Sequence, residues 1–433
     1  MSELRPQITC VNCWASFPPE EVLWIAEHPD LTGDSVAGDM ERLRFLPSRF
    51  DLQGNALDLY GVACRDLACP KCHLTIPRSL LEREPVFISV LGTPSCGKSY
   101  YLGALAATLR RELPGKFGVG FTDADSTANV PLIAYEEHLF HHLQPNEQVP
   151  LSDLIPKTQL HGAFYQTVSI GGQPVSLPKP MSFLLQPLET HARFQDASAS
   201  KLVCLYDNAG EHYLPGGDSV ASPGTRHMAE SNFLLFLYDP TQDPRWHEMM
   251  RKDCPGSEIP ITRQPRRQED VLREAFTRVR KLRGLADGAK HDRPLLIILN
   301  KCDLWKSLVP KLPSGVLFRN QQMVGVNLDM IFEHSTVLRN LLIRTIPELV
   351  YAAEGFCHQV YFLAASALGV KPTYGADGQA YICPRDIHPQ GVILPFVLGL
   401  QLTTQGLLGS LPDNLPSGNG RSKSPPPHTP VRG

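Results

Sequence analysis

The sequence predicts an α/β protein, with a mostly parallel sheet covered by helices on both faces and a small cysteine-bearing module in front of it. Three observations carry this. Short apolar runs alternate with helix-like segments from about residue 83 to about residue 410, the pattern of parallel strands joined by helices. The first of those runs leads into Gly92, four residues, then Gly97-Lys98-Ser99, the spacing of a phosphate-binding loop. Ahead of it, within residues 1–82, stand two Cys-x-x-Cys pairs.

The front module comes first in the chain. "CVNC" holds Cys10 and Cys13, and "CPKC" holds Cys69 and Cys72. Each pair can set two thiolates on one side of a tetrahedral Zn²⁺, so a closed structural zinc ribbon is expected. The insert between the pairs is longer than usual and includes "VLWIAEHP". Cys64 and His73 are possible substitutes for one ligand, and free cysteines or a redox pair are the competing readings. No strand-helix context of the thioredoxin kind surrounds either pair. No internal repeat is visible in the chain.

The second zone, residues 83–410, opens with "PVFISVLG", a β-branched run bounded by Pro and Gly that reads as a buried strand. "SYYLGALAATLRREL" follows with helical spacing and is expected to end before Pro114. In the loop between them, backbone N–H groups of Gly92, Ser95, Cys96, Gly97, Lys98, Ser99 and Tyr100 can surround phosphate oxygens. Lys98 adds a positive charge there, and the Ser99 hydroxyl can ligate Mg²⁺. Further on, "SKLVCLYDNAG" is a strand ending at Asp207, an acidic group placed to hold Mg²⁺ through water, with Gly210 three residues later. "RPLLIILNKCDLW" is a strand ending in Asn300-Lys301-Cys302-Asp303. A carboxylate at Asp303 can accept from both N1–H and the exocyclic amine of guanine, a donor pair that adenine lacks. "QVYFLAASALG" is a last buried strand ending in Ser366-Ala367. The third zone, residues 411–433, is rich in Pro, Ser and Gly and is expected to be disordered.

Composition narrows the class. The net charge of −3 over 433 residues gives no basic field for nucleic acid or an acidic membrane. "GVILPFVLGLQL" is too short to span a bilayer, and "MSELRPQITC" lacks a signal pattern, so a soluble cytoplasmic protein is expected. The run from Arg263 to Arg283 mixes acidic with basic residues and reads mainly as a solvated helix face.

Taken in order, "GTPSCGKS", "DNAG", "NKCD" and "ASAL" are similar to the motif set of P-loop GTPases of the translation-factor and Ras class, over residues 83–410. More narrowly, the cysteine module, "FTDAD" and "DNAGEHYLPGGDSVASPGTRHMAESNFLLFLYDPTQDPR" resemble bacterial zinc-ribbon double-GTPase proteins associated with predicted conflict systems. The resemblance implies a GTP-driven regulatory switch using GTP, Mg²⁺ and Zn²⁺, slow in intrinsic turnover and controlled by a protein partner or regulator. It implies that Asn300, Lys301 and Asp303 read the base, that Ser366-Ala367 buttress it, and that Gly210 senses the γ-phosphate. The residue after Gly210 orients water in that class through a Gln; here Glu211 stands there, followed by His212, and either can take the role. The span before Asp207 is long and should carry the Mg²⁺-binding threonine. Thr158 in "LIPKTQLHG" is the candidate, because it precedes the strand-like "MSFLLQPLE"; a surface threonine is the competing reading. Glu211 in place of Gln also leaves room for a GTP-binding scaffold without turnover.

Overall fold

A computed structural model describes residues 4–155, 164–207, 225–253, 267–313, 317–319, 324–376, 378–404 and 407–408. The apolar runs become seven strands: β1 (Glu84–Gly92), β2 (Val119–Asp123), β3 (Met181–Pro187), β4 (Lys201–Asp207), β5 (Phe233–Tyr238), β6 (Leu295–Leu299) and β7 (Val360–Ala364). They form one sheet in the order β2-β3-β4-β1-β5-β6-β7. β4, β1, β5, β6 and β7 pair in parallel, and β3 runs against its neighbours β2 and β4. β1 is buried along nearly its whole length, which is why it reads as a continuous apolar run. Its flanking strands β4 and β5 belong to connections leaving on opposite sides. A crevice at the carboxyl end of β1 follows from that reversal.

The α-helices longer than four residues among the described residues are α1 (Lys98–Phe117), α2 (Ser126–Phe140), α3 (Arg226–Glu230), α4 (Pro244–Asp253), α5 (Gln268–Arg283), α6 (Leu328–Thr345), α7 (Pro347–Phe356) and α8 (Ile393–Thr403). One sheet face packs Val86, Ile88, Val90, Val203 and Leu205 against α1, α2 and α8. On the other, Leu234, Phe236, Ile297 and Phe362 pack against α3 to α7. The cysteine module covers the rest of that second face, since Phe87, Leu202, Cys204 and Tyr206 share one core with Cys10, Trp14, Cys69 and Cys72. α5 buries Val271, Leu272, Ala275, Phe276 and Val279, so its basic residues ride on an amphipathic helix.

Two expectations need correction. α1 does not stop before Pro114 but continues to Phe117. Proline disfavours a helix interior, but Leu113 and Phe117 are buried in the core and hold the last turn. Gly118 then ends it in the left-handed conformation, donating to Leu113 O and Pro114 O. The chain also does contain a duplicated unit. Strands Ile8–Thr9 and Ser16–Phe17 enclose the first cysteine pair, and Leu67–Ala68 and Thr75–Ile76 enclose the second in the same register. Trp14 and His73, each just after the second cysteine, both have φ of 57°. The shared geometry is set by backbone bonds to sulfur and by the turn, which leave few residue identities for the sequence to repeat.

Candidate functional site

The four-cysteine cluster is built by those two turns. In the first, Cys10 N donates to Ala15 O at 2.9 Å; in the second, Cys69 N donates to Leu74 O at 3.0 Å. The backbone N–H groups of Asn12 and Lys71 point at the Sγ atoms of Cys10 and Cys69, at 3.3 and 3.4 Å. The Sγ atoms of Cys10, Cys13, Cys69 and Cys72 all lie within 4.8 Å of one another. Cys10–Cys72 and Cys13–Cys69 are each 3.8 Å apart. A tetrahedral zinc with bonds of about 2.3 Å spaces its sulfurs by about 3.8 Å, so the set fits the ion. The substitutes considered from sequence are engaged elsewhere: Cys64 Sγ donates to Val62 O at 3.6 Å, and His73 Nδ1 pairs with the buried Asp34 carboxylate at 2.9 Å. Burial pushes the Cys10 thiol up, while hydrogen bonding from Cys10 holds Cys13 down.

The second site lies at the carboxyl ends of β1, β5, β6 and β7. A cavity of about 320 Å³ is lined there by Ser95, Gly97, Tyr100, Asn300, Lys301, Asp303, Ser366 and Ala367, among others. The β1–α1 loop needs its glycines. A Cβ on Gly92 would stand 2.7 Å from Cys96 Sγ and 2.9 Å from Leu237 O, and one on Gly97 would meet Asn300 Nδ2 at 3.0 Å. Lys98 begins α1 and is nearly buried, its Nζ donating to Gly92 O and Thr93 O at 3.1 and 3.2 Å. Asn300 ties the β6 end to this loop by donating to Cys96 O at 3.0 Å. Asn300 Oδ1 and Asp207 Oδ1 are buried acceptors with no hydrogen-bond partner among the described residues.

Asp303 is 7% exposed on the cavity wall, and the Ser366 hydroxyl donates to its Oδ1. Ser366 Oγ in turn accepts from Gly369 N at 2.8 Å. Burial pushes the Asp303 carboxyl up, partly offset by that hydroxyl. At the end of β4, burial raises the Asp207 carboxyl to about 6, against the pull of the Lys98 charge. Thus Ser95, Gly97, Tyr100, Asn300, Lys301, Asp303, Ser366 and Ala367 meet at one cavity, with Gly92, Cys96, Lys98, Ser99 and Asp207 outside its lining. Thr158, Gly210, Glu211 and His212 lie outside the described residues.

Sequence reasoning missed three residues that organise this cavity. Asp239 Oδ2 binds Lys301 Nζ at 2.7 Å, and Thr241 Oγ1 accepts from the same amine at 3.1 Å. Gln242 accepts from Thr93 Oγ1 at 2.8 Å and donates to Pro94 O at 3.0 Å, pinning the loop to the β5 end. The signal available was polar "DPTQD" directly after the apolar "FLLFLY". A further wall comes from Leu151 and Tyr374, on segments joined by the pairing of Val149–Pro150 with Ala380–Ile382.

Comparison with protein-family models gives no match. Over 173 residues the chain is 28% identical to a protein of Mycolicibacterium smegmatis provisionally named ESX-1 scaffolding and assembly protein SaeC. The match covers 40% of this chain and 37% of that protein, so the chain spans little more than a third of the relative's length. No helix among the described residues is long and apolar enough to cross a membrane.

Proposed function

We propose that the protein is a GTP-binding and GTP-hydrolysing switch with a structural zinc site. The observation that supports this is Asp303, a buried carboxylate bonded by Ser366 on the wall of a cavity that Ser95 and Gly97 of the β1–α1 loop also line. In this reading the Asp303 carboxylate accepts from guanine N1–H and the exocyclic amine, and Ala367 lies beside the base. The loop N–H groups and Lys98 hold the phosphates. Ser99, Asp207 and Thr158 are the residues that would hold Mg²⁺, which offsets phosphate charge when bound. Gly210 senses the γ-phosphate, and Glu211 or His212 orients the attacking water.

Two measurements test this on purified full-length protein: GTP against ATP affinity, and single-turnover GTP hydrolysis. Selective GTP binding with slow hydrolysis is expected. Equal affinity for GTP and ATP would refute the base assignment. The similarity to a scaffolding and assembly protein favours a second reading, a GTP-binding scaffold that engages protein partners without turnover. Tight GTP binding with no hydrolysis, alone or with cell extract, would select it.

A further inference from the structure

We infer that Tyr206 couples the four-cysteine cluster to the nucleotide site, so that metal held by the thiolates sets the affinity of the strand-end site for Mg²⁺-nucleotide; this rests on the function proposed above. Tyr206 immediately precedes Asp207 on β4, and its ring is fully buried. Its hydroxyl donates to Val11 O at 2.5 Å, and Val11 lies between Cys10 and Cys13. The turn that presents this carbonyl is the one whose N–H groups point at Cys10 Sγ. Metal at the cluster therefore fixes the acceptor that fixes Tyr206, one residue from the carboxylate.

The same ring organises two further elements. Trp14, which closes the first turn, packs against it at 5.7 Å between centroids. His227 of α3 stacks on it at 5.0 Å, nearly parallel. His227 Nδ1 is 2.5 Å from Ser89 Oγ on β1, the strand that feeds the phosphate-binding loop. One aromatic cluster thus touches the metal turn, the ends of β4 and α3, and β1. Tyr206 is a positioning residue in this arrangement, acting on Asp207 through the backbone of β4.

Coupling between two binding sites is reciprocal, which makes the test two-sided. Full-length protein is prepared with zinc and with zinc removed by chelation under reducing conditions. Binding of a fluorescent GDP analogue is titrated with Mg²⁺ in both forms, and zinc affinity of the GDP-bound protein is measured by competition with a chromophoric chelator, with and without Mg²⁺. Zinc removal is expected to raise the half-saturating Mg²⁺ concentration roughly threefold to tenfold, the scale of losing one buried hydrogen bond. In the GDP-bound protein, Mg²⁺ should raise zinc affinity by the same factor. Tyr206→Phe should retain zinc and show the raised Mg²⁺ requirement, with little further change when zinc is removed. Hydrogen exchange at the Lys201–Asp207 amides supplies a nucleotide-free readout and should quicken on zinc removal or in Tyr206→Phe. Nucleotide binding with a zinc-independent Mg²⁺ requirement would overturn the coupling alone. A protein that binds no guanine nucleotide would overturn the functional reading and, with it, the coupling.

Discussion

Replacing Asp303 with Asn separates base recognition from folding, because it weakens the first and spares the second. A carboxylate accepts both guanine hydrogen bonds, and each charge-assisted bond contributes about 1.5–3 kcal/mol. Asn keeps one acceptor for N1–H but sets its NH₂ against the exocyclic amine. The expected loss is about 3 kcal/mol, or roughly 150-fold in GTP affinity. The nucleotide-free fold should not suffer. Burial already disfavours the Asp303 charge, and Ser366 can donate to the amide oxygen as it does to the carboxylate. Xanthine carries a carbonyl where guanine has the amine, so it matches the Asn donor-acceptor order. Calorimetric titration of parent and Asp303→Asn with GTP, ATP and xanthosine triphosphate, alongside melting curves, decides the matter. Weakened GTP, gained xanthosine triphosphate and an unlowered melting temperature are expected. Undiminished GTP affinity in the variant would refute the assignment of Asp303 to the base.

Elemental analysis of the purified chain should show one zinc, and the Cys69→Ser, Cys72→Ser double change should abolish it, since it removes half of a closed thiolate set. Zinc retained at the parent level would exclude the cluster as its site. Gly92→Ala should lower the melting temperature and weaken nucleotide binding together, because its Cβ would press on Leu237 O in the β5 backbone, at a cost of about 1–3 kcal/mol; a variant that melts and binds like the parent would show that the loop can move aside. Burial lowers His291 to about 4, so the folded protein keeps it neutral while the unfolded chain, with a pKa near 6.5, takes up a proton. Its contribution is complete above about pH 6.5 and is lost as pH falls toward 4, by about 3 kcal/mol at most. His291→Phe should flatten that part of the pH-stability curve measured by urea unfolding, and an unchanged acid limb would assign it to other groups.

The parts of this protein written in local sequence were legible without a structure. Buried strands announce themselves as apolar runs, so β1, β4, β6 and β7 and the residues at their carboxyl ends could be read directly, as could both cysteine pairs. Parallel strands bring those ends to one edge, and there Asn300, Asp303 and Ser366, far apart in the chain, line one cavity with Ser95 and Gly97 of the loop after Gly92. What local pattern could not supply depended on contacts between distant segments. Pro114 signals a helix end, yet the burial of Leu113 and Phe117 carries α1 past it. His73 has the chemistry of a metal ligand, and only the approach of Asp34 removes it from that role. Gln242 looks like any polar residue after a strand until Thr93 and Pro94 meet it. Tyr206 reads as one more apolar strand position, and its hydroxyl acquires a partner only because the cysteine turns dock on that face of the sheet. Periodicity records which way a side chain points along its own element; which surface waits there is fixed by packing, and packing is a property of the assembled chain.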